Sequence, residues 1–409
     1  MTIAKRFATV FAAAVLLAFG LGTASADVIE WNDAMNSAAR AVKESRFADA
    51  ERWLRTAIKE AQKFGPEDRR LAESLSSLAS VLYAQGNYAE AGALFKRVLL
   101  IVEKTQGPQH LRVADALTGL AGIYHVQGQY AEAEPLLERA LAIREKVLGP
   151  EHPDVAGSLN NLGTLYNSQG KLDKADGLYR RALVIQEKVY GPQHLSVAAT
   201  ASNLGLLSSA EGKTADAERL LKQALLIREA ALEAAHPDLA GSLDNLGTFY
   251  FSQARYAEAE PLLKRALAIQ EKVRGPEHLQ VALTLGHLGA LYEAEGNAAK
   301  AEPLLGRALA IWEKVLGPEH IQVASALSSL AWIYQVEGKY NQAERLLKRS
   351  LEIQEKVLGP KAPELALSLE GYAALLRKMD RRTDAEETEA RAQTIRAEHT
   401  AASSIKRNN

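Results

Sequence analysis

The sequence predicts an all-α fold, a solenoid of stacked antiparallel helix pairs, on three observations. Gly-Pro recurs at Gly65, Gly107, Gly149, Gly191, Gly275, Gly317 and Gly359, always at a multiple of 42 residues. Alanine holds one register position in eight successive units: Ala91, Ala133, Ala175, Ala217, Ala259, Ala301, Ala343 and Ala385, with no insertion or deletion between them. Within each unit the apolar residues fall at three- and four-residue spacings, which is the period of a helix face. A unit of this length cannot bury its own apolar face and has to stack on its neighbours.

Taken in chain order, the first element is MTIAKRFATVFAAAVLLAFGLGTASA, where Lys5 and Arg6 precede an apolar run that ends in Ala24, Ser25 and Ala26. The run is shorter than the roughly 20 residues that cross a bilayer and closes in small residues, which is the pattern of a leader cut after Ala26. Residues 1–26 therefore read as a signal peptide and the mature chain as periplasmic or secreted. Nothing after Asp27 is apolar for long enough to enter a membrane. There is no cysteine, so disulfides and thiolate metal sites are excluded. The 49 basic and 50 acidic side chains become 47 and 50 once Lys5 and Arg6 are removed, too even a balance for nucleic acid to be the main partner.

Residues 27–64 sketch a capping helix pair slightly out of register, on Trp31, Met35, Ala39 and Val42, then Phe47, Ala50, Trp53, Leu54 and Ala57. Residues 65–358 hold seven 42-residue units. In the unit that starts at Gly149, Val155, Ala156, Leu159, Leu162, Gly163 and Tyr166 draw the stripe of a first helix, and Gly170 closes it. Gly86, Gly128, Gly212, Gly296 and Gly338 take the same place, whereas Ala254 breaks the series and would have to adopt a left-handed conformation at about 1 kcal/mol. The second helix follows, as in Tyr130–Gly149 with Ala133, Leu137, Ala140, Leu141 and Ile143 on one side, until Gly-Pro ends it. Pro135, Pro261 and Pro303 fall about one turn inside second helices and predict a late start or a small bend. Residues 359–398 form a last pair whose Arg381, Arg382, Glu386, Glu387 and Glu389 give it a polar outer face, and 399–409 read as a frayed tail.

Leu162-Gly163, Tyr166, Ala175, Tyr179 and Ala182 resemble the tetratricopeptide repeat. The 42-residue unit with GPEHPDVA, SLNNLG and AEPLLERALAI is similar to the kinesin light chain type of that repeat. The resemblance covers residues 65–398. It implies a right-handed superhelix of about nine helix pairs whose first helices line a concave groove. It also implies that groove asparagines contact the backbone of a bound peptide, which here falls on Asn161, Asn203 and Asn245.

The candidate sites sort by physical feasibility. His110, His152, His194, His236, His278 and His320 recur every 42 residues, but equivalent residues of stacked helices stand about 8–10 Å apart, too far to share an ion. With Pro153 and Asp154, or Pro237 and Asp238, they read as helix starts. Gly212-Lys213-Thr214 imitates the end of a phosphate loop, but Leu207 stands where that loop needs glycine. Carboxylates beside lysine, as in Glu145-Lys146 and Glu271-Lys272, read as solvated surface. No metal, cofactor or catalytic residue is expected. What varies from unit to unit is the first-helix face: Asn160-Asn161, Ser202-Asn203, Asp244-Asn245 and Gly286-His287, and one turn on Tyr83, His125, Asn167, Ser209, Phe251, Glu293 and Gln335. Of these, Asn160, Asn161, Asn167, Ser202, Asn203, Asp244, Asn245, Tyr83, His125, Phe251 and His287 are, with Trp332, the candidate peptide-contacting residues. The function expected is a non-catalytic interaction scaffold in the bacterial envelope, its partner a protein or peptide. The alternative is an assembly component that docks through its second helices and ends, Trp31 and Trp53 included.

Overall fold

The computed structural model describes residues 26–44 and 46–408. The leader sequence thus lies, up to its last residue, outside the described residues. The chain divides into two units that meet in sequence between Lys213 and Thr214. Unit 1 contains α1 (Ala26–Lys43), α2 (Phe47–Gln62), α3 (Arg69–Gln85), α4 (Tyr88–Gln106), α5 (Leu111–Val126), α6 (Tyr130–Leu148), α7 (Pro153–Ser168), α8 (Leu172–Tyr190) and α9 (Leu195–Ala210). Unit 2 contains α10 (Thr214–Ala231), α11 (Pro237–Ser252), α12 (Tyr256–Arg274), α13 (Leu279–Ala294), α14 (Ala298–Leu316), α15 (Ile321–Val336), α16 (Tyr340–Leu358), α17 (Pro363–Lys378) and α18 (Arg382–Asn408). All secondary structure among the described residues is helical, an all-α solenoid arrangement of helix pairs. Odd numbers carry the first-helix pattern and even numbers the second, and none of these helices is long and apolar enough to cross a membrane.

Close packing explains the register residues. The alanine column is fully buried in both units, from Ala91 to Ala175 and from Ala217 to Ala385, where any larger side chain would push neighbouring helices apart. Gly163 serves the same end, since a Cβ there would come within 2.8 Å of the Tyr179 ring on α8. Around these small residues Leu159 of unit 1 and Leu243 of unit 2 are completely covered, each worth about 1.5–3 kcal/mol of burial.

Two sets of polar contacts fix how one pair sits on the next. The first is buried. In unit 1 the Arg144 guanidinium of α6 donates to Ser158 Oγ of α7 at 2.6 Å and to Asp115 Oδ1 of α5 at 2.7 Å. One repeat on, Thr200 Oγ1 donates to Gln186 Oε1 at 2.6 Å. Unit 2 repeats the pattern with Arg228 and Ser242, Gln270 and Thr284, and Gln354 and Ser368. The second set lies along the second helices. Glu103 meets Arg139 at 2.6 Å and Glu145 meets Arg181 at 2.7 Å in unit 1; Glu313 meets Arg349 at 2.6 Å and Glu355 meets Arg391 at 2.6 Å in unit 2. These acids are not idle surface, as their lysine neighbours in sequence suggest, because each reaches the second helix of the following pair. The same arginines donate to the carbonyl of the Gly-Pro turn, Arg139 to Pro108 O at 3.3 Å and Arg307 to Pro276 O at 3.0 Å.

The structure departs from the sequence reading at three places. Of the late start and the small bend expected of the second helices that contain Pro135, Pro261 and Pro303, the late start is excluded: they begin in the same register as their proline-free counterparts, at Tyr130, Tyr256 and Ala298. Proline forfeits one ladder bond there, and packing of the amphipathic face outweighs it. The expected tail is helical: α18 runs on to Asn408, since nothing between Arg382 and that residue is a glycine or proline. Trp31 is no docking residue, because it is buried with its Nε1 donating to Ser74 Oγ at 2.8 Å, which ties α1 to α3; Trp53 is exposed.

Ala254 turns the chain between α11 and α12 with φ 56°, at the place where Gly170 has 72° and Gly296 has 73°. Its Cβ is strained there, so Ala254→Gly is expected to stabilise the protein by about 1 kcal/mol, read as a higher urea midpoint. A midpoint equal to or below that of the parent would show that this turn carries no strain.

Candidate functional site

The periodic histidines are helix caps. In His110, His152, His194, His236, His278 and His320 the backbone is extended, and Nδ1 accepts the amide N–H two residues on, at 3.1–3.2 Å in each case. To accept, Nδ1 must present its lone pair, so the ring proton sits on Nε2. Asp68 does the same for α3 at 2.8 Å, whereas Ala362 at the start of α17 has no side chain that can. The carboxylates of Asp27, Glu30 and Glu60 are the acids that converge most closely among the described residues. Lys63 already lies among them, 2.9 Å from Asp27 and in contact with Glu60, so the cation at that cluster is the protein's own.

The face of the first helices is the remaining candidate, and its residues divide into two groups. One group is spent inside the fold. Asn160 on α7 donates its amide to Thr200 Oγ1 on α9, and Ser202 is completely buried. Asp244 on α11 accepts from Thr284 Oγ1 at 2.7 Å and from His287 Nδ1 at 3.1 Å, both on α13. Tyr83 is buried too, its ring edge-on to Tyr88 at 5.5 Å, so it offers no pocket. Asn160, Asp244 and Tyr83 therefore join helices to each other, and Ser202 is closed off from solvent, rather than facing a partner, which corrects the sequence assignment. His125 on α5 is intermediate: Nε2 lies 2.9 Å from Ser168 Oγ on α7, and burial pushes the imidazole below its ordinary value.

The second group faces outward. In unit 1, Asn161 on α7 and Asn203 on α9 are half-buried, and their side-chain amides make no hydrogen bond among the described residues. Asn167 is exposed nearly two turns beyond Asn161, and Leu206 lies exposed one turn beyond Asn203. In unit 2, Asn245 on α11 is half-buried with a free amide in the same register, followed by Phe251, which is half-buried as well. On α13 the equivalent residue is His287; burial opposes its protonation, but the Asp244 carboxylate more than compensates and raises its pKa. Trp332 on α15 is half-buried on this face. The sequence did not reveal the column Arg144, Gln186, Arg228, Gln270 and Gln354, whose signal is a polar residue on these five second helices 14 positions before a serine or threonine; α4 and α14 have Val102 and Trp312 there.

Stacked helix pairs held by equivalent contacts in every repeat define a helical repeat protein. A family model described as the tetratricopeptide repeat matches residues 70–146, 112–183, 154–230, 238–305, 280–350 and 333–398. The chain belongs to the tetratricopeptide repeat family. No curated protein matches it. Among solved structures, it is similar to kinesin light chain type nearly identical TPR-like repeats of Podosopora anserina, with 30% identity over 50% of this chain and 97% of that one and a TM-score of 0.45. It is similar in fold to the quorum sensor NprR from B. thuringiensis, 15% identical over 90% of this chain and 98% of that one, with a TM-score of 0.63. A Rap protein complexed with Competence and Sporulation Factor is likewise 15% identical, over 91% and 98% of the two chains, with a TM-score of 0.59.

The capping role of the histidines has a direct check. His152→Ala is expected to cost about 1 kcal/mol of stability and His152→Asn to restore most of it, since asparagine supplies an equivalent acceptor. Equal loss in both variants, measured by urea unfolding, would mean that the imidazole acts by packing and not by its lone pair.

Proposed function

We propose that the chain is a non-catalytic scaffold that holds an extended segment of a partner protein along the face of its first helices. The observation that carries this is the pair Asn161 and Asn203, in identical register on α7 and α9, half-buried and without a side-chain hydrogen bond among the described residues. An amide can donate and accept at once, which matches the alternating N–H and C=O of a peptide backbone. Adjacent helices stand about 8–10 Å apart and an extended chain advances about 3.3 Å per residue, so successive amides would meet every third residue or so. Such binding reads the backbone and leaves selectivity to the residues beside the amides. A structure of the same fold, the Rap protein complexed with Competence and Sporulation Factor, was solved with a bound partner, which supports the reading for this chain. The leader-like first 26 residues support a place of action in the bacterial envelope.

Replacing Asn161 and Asn203 by alanine is expected to weaken partner binding by about 1 kcal/mol per lost hydrogen bond, roughly tenfold or more for the pair, with the unfolding midpoint unchanged or raised. Isothermal titration against a partner recovered from envelope extract checks this. Unaltered affinity in a variant that folds would move the interaction away from this face.

A further inference from the structure

Unit 2 holds an acid that the fold leaves without a cation. Glu293, near the end of α13, is half-buried, and no lysine or arginine forms an ion pair with it among the described residues. Three other partly covered glutamates of this unit are served by cations, Glu218 by Arg255 and Lys222, Glu260 by Lys264, and Glu344 by Lys348 and Arg381, while Glu302 accepts from the Tyr334 hydroxyl. The contrast shows in their acidity. Arg255 holds Glu218 down to about 2 and Lys348 does the same for Glu344, whereas burial pushes Glu293 up, with only the Ser329 hydroxyl hydrogen-bonded against it. A carboxylate drawn out of water without a counter-charge is a standing cost to the folded state.

Its surroundings complete a site. Ser329 belongs to α15, so Glu293 reaches the next first helix. In unit 1 the same register is His125, which reaches Ser168. The counterpart of Ser168 in unit 2 is Val336, so the residue at this register lies over the stretch of α15 from Ser329 to Val336. Trp332 stands midway along that stretch, half-buried, one turn from Ser329 on the same face. Val336, the next turn on, is 57% exposed. A carboxylate, an indole and an exposed aliphatic side chain thus follow one another along one face.

We propose that this face takes a lysine or arginine side chain of the bound partner segment, its cationic head on the Glu293 carboxylate and its stem against the Trp332 ring. An apolar residue of the segment then covers Val336. The cation gains from both neighbours, a charge-assisted hydrogen bond from the carboxylate and the negative face of the indole. This rests on the reading of the first-helix face as a partner-binding surface, and adds to it the charge of the partner.

The test is to pan a phage-displayed library of random dodecapeptides on the full chain and measure single peptides by fluorescence anisotropy. The expected result is enrichment of peptides with a basic residue next to an apolar one. Exchange of that basic residue for norleucine, which removes the charge and leaves the protein untouched, should weaken binding roughly tenfold, and Glu293→Gln should abolish the difference. Enriched peptides that lack a basic residue, or a tenfold loss that persists in the Glu293→Gln protein, would overturn this inference alone. If no peptide is enriched, the reading of the face falls as well.

Discussion

Each helix pair can bury its apolar face only against its neighbours, and the contacts that hold this chain together follow from that. Contacts that hold the fold recur at fixed sequence offsets: 14 residues for Arg144 and Ser158, and 36 for Glu103 and Arg139. The energies rank clearly. A covered leucine contributes about 1.5–3 kcal/mol, whereas a partly exposed ion pair contributes about 0.2–1 kcal/mol. Burial therefore supplies the stability. The polar contacts supply the register, because sliding one pair along the next by a single residue would leave Arg144 buried without its hydroxyl and carboxylate partners. The Gly-Pro turns belong to the same system, since their carbonyls accept from the arginines of the ladder.

The parts of this structure legible in the sequence are those whose cause is local. A capping histidine acts two residues away, a left-handed glycine acts on its own turn, and an alanine every 42 residues marks a helix contact whichever neighbour fills it. The parts that escaped notice have their cause one repeat away. Glu145 reads as solvated beside Lys146, yet its partner is Arg181, a residue whose proximity only the stacked fold creates. The proline-bearing second helices misled for a related reason: local propensity argues for a late start, and the tertiary burial of Ala133 and Leu137 decides otherwise.

The candidate site shows the same limit at finer grain. Asn160 and Asn161 are neighbours of one residue type, 100° apart around the helix axis. The first points to α9 and bonds Thr200, while the second leaves its amide on the open face. Ser202 and Asn203 divide in the same way in unit 1, and Asp244 and Asn245 in unit 2. Sequence periodicity placed both members on the first-helix face. It could not tell which one the adjacent helix would claim, because that depends on whether position 200 or 284 offers a hydroxyl.

The free asparagines are then the feature that needs a cause outside the fold. Asparagine in a helix costs up to about 0.7 kcal/mol against alanine, and at Asn161, Asn203 and Asn245 the side chain returns no hydrogen bond among the described residues. Alanine would serve the stack better at each of these positions. The alanine column that holds the stack together is uniform, whereas the outward face carries amides in unit 1 and an amide, histidine, aromatic and acidic groups in unit 2. Substitution on such a face perturbs stability little, so its chemistry is free to follow a partner. One set of residues thus answers to the neighbouring helix, and the other is what the proposed role of this face in holding a partner requires.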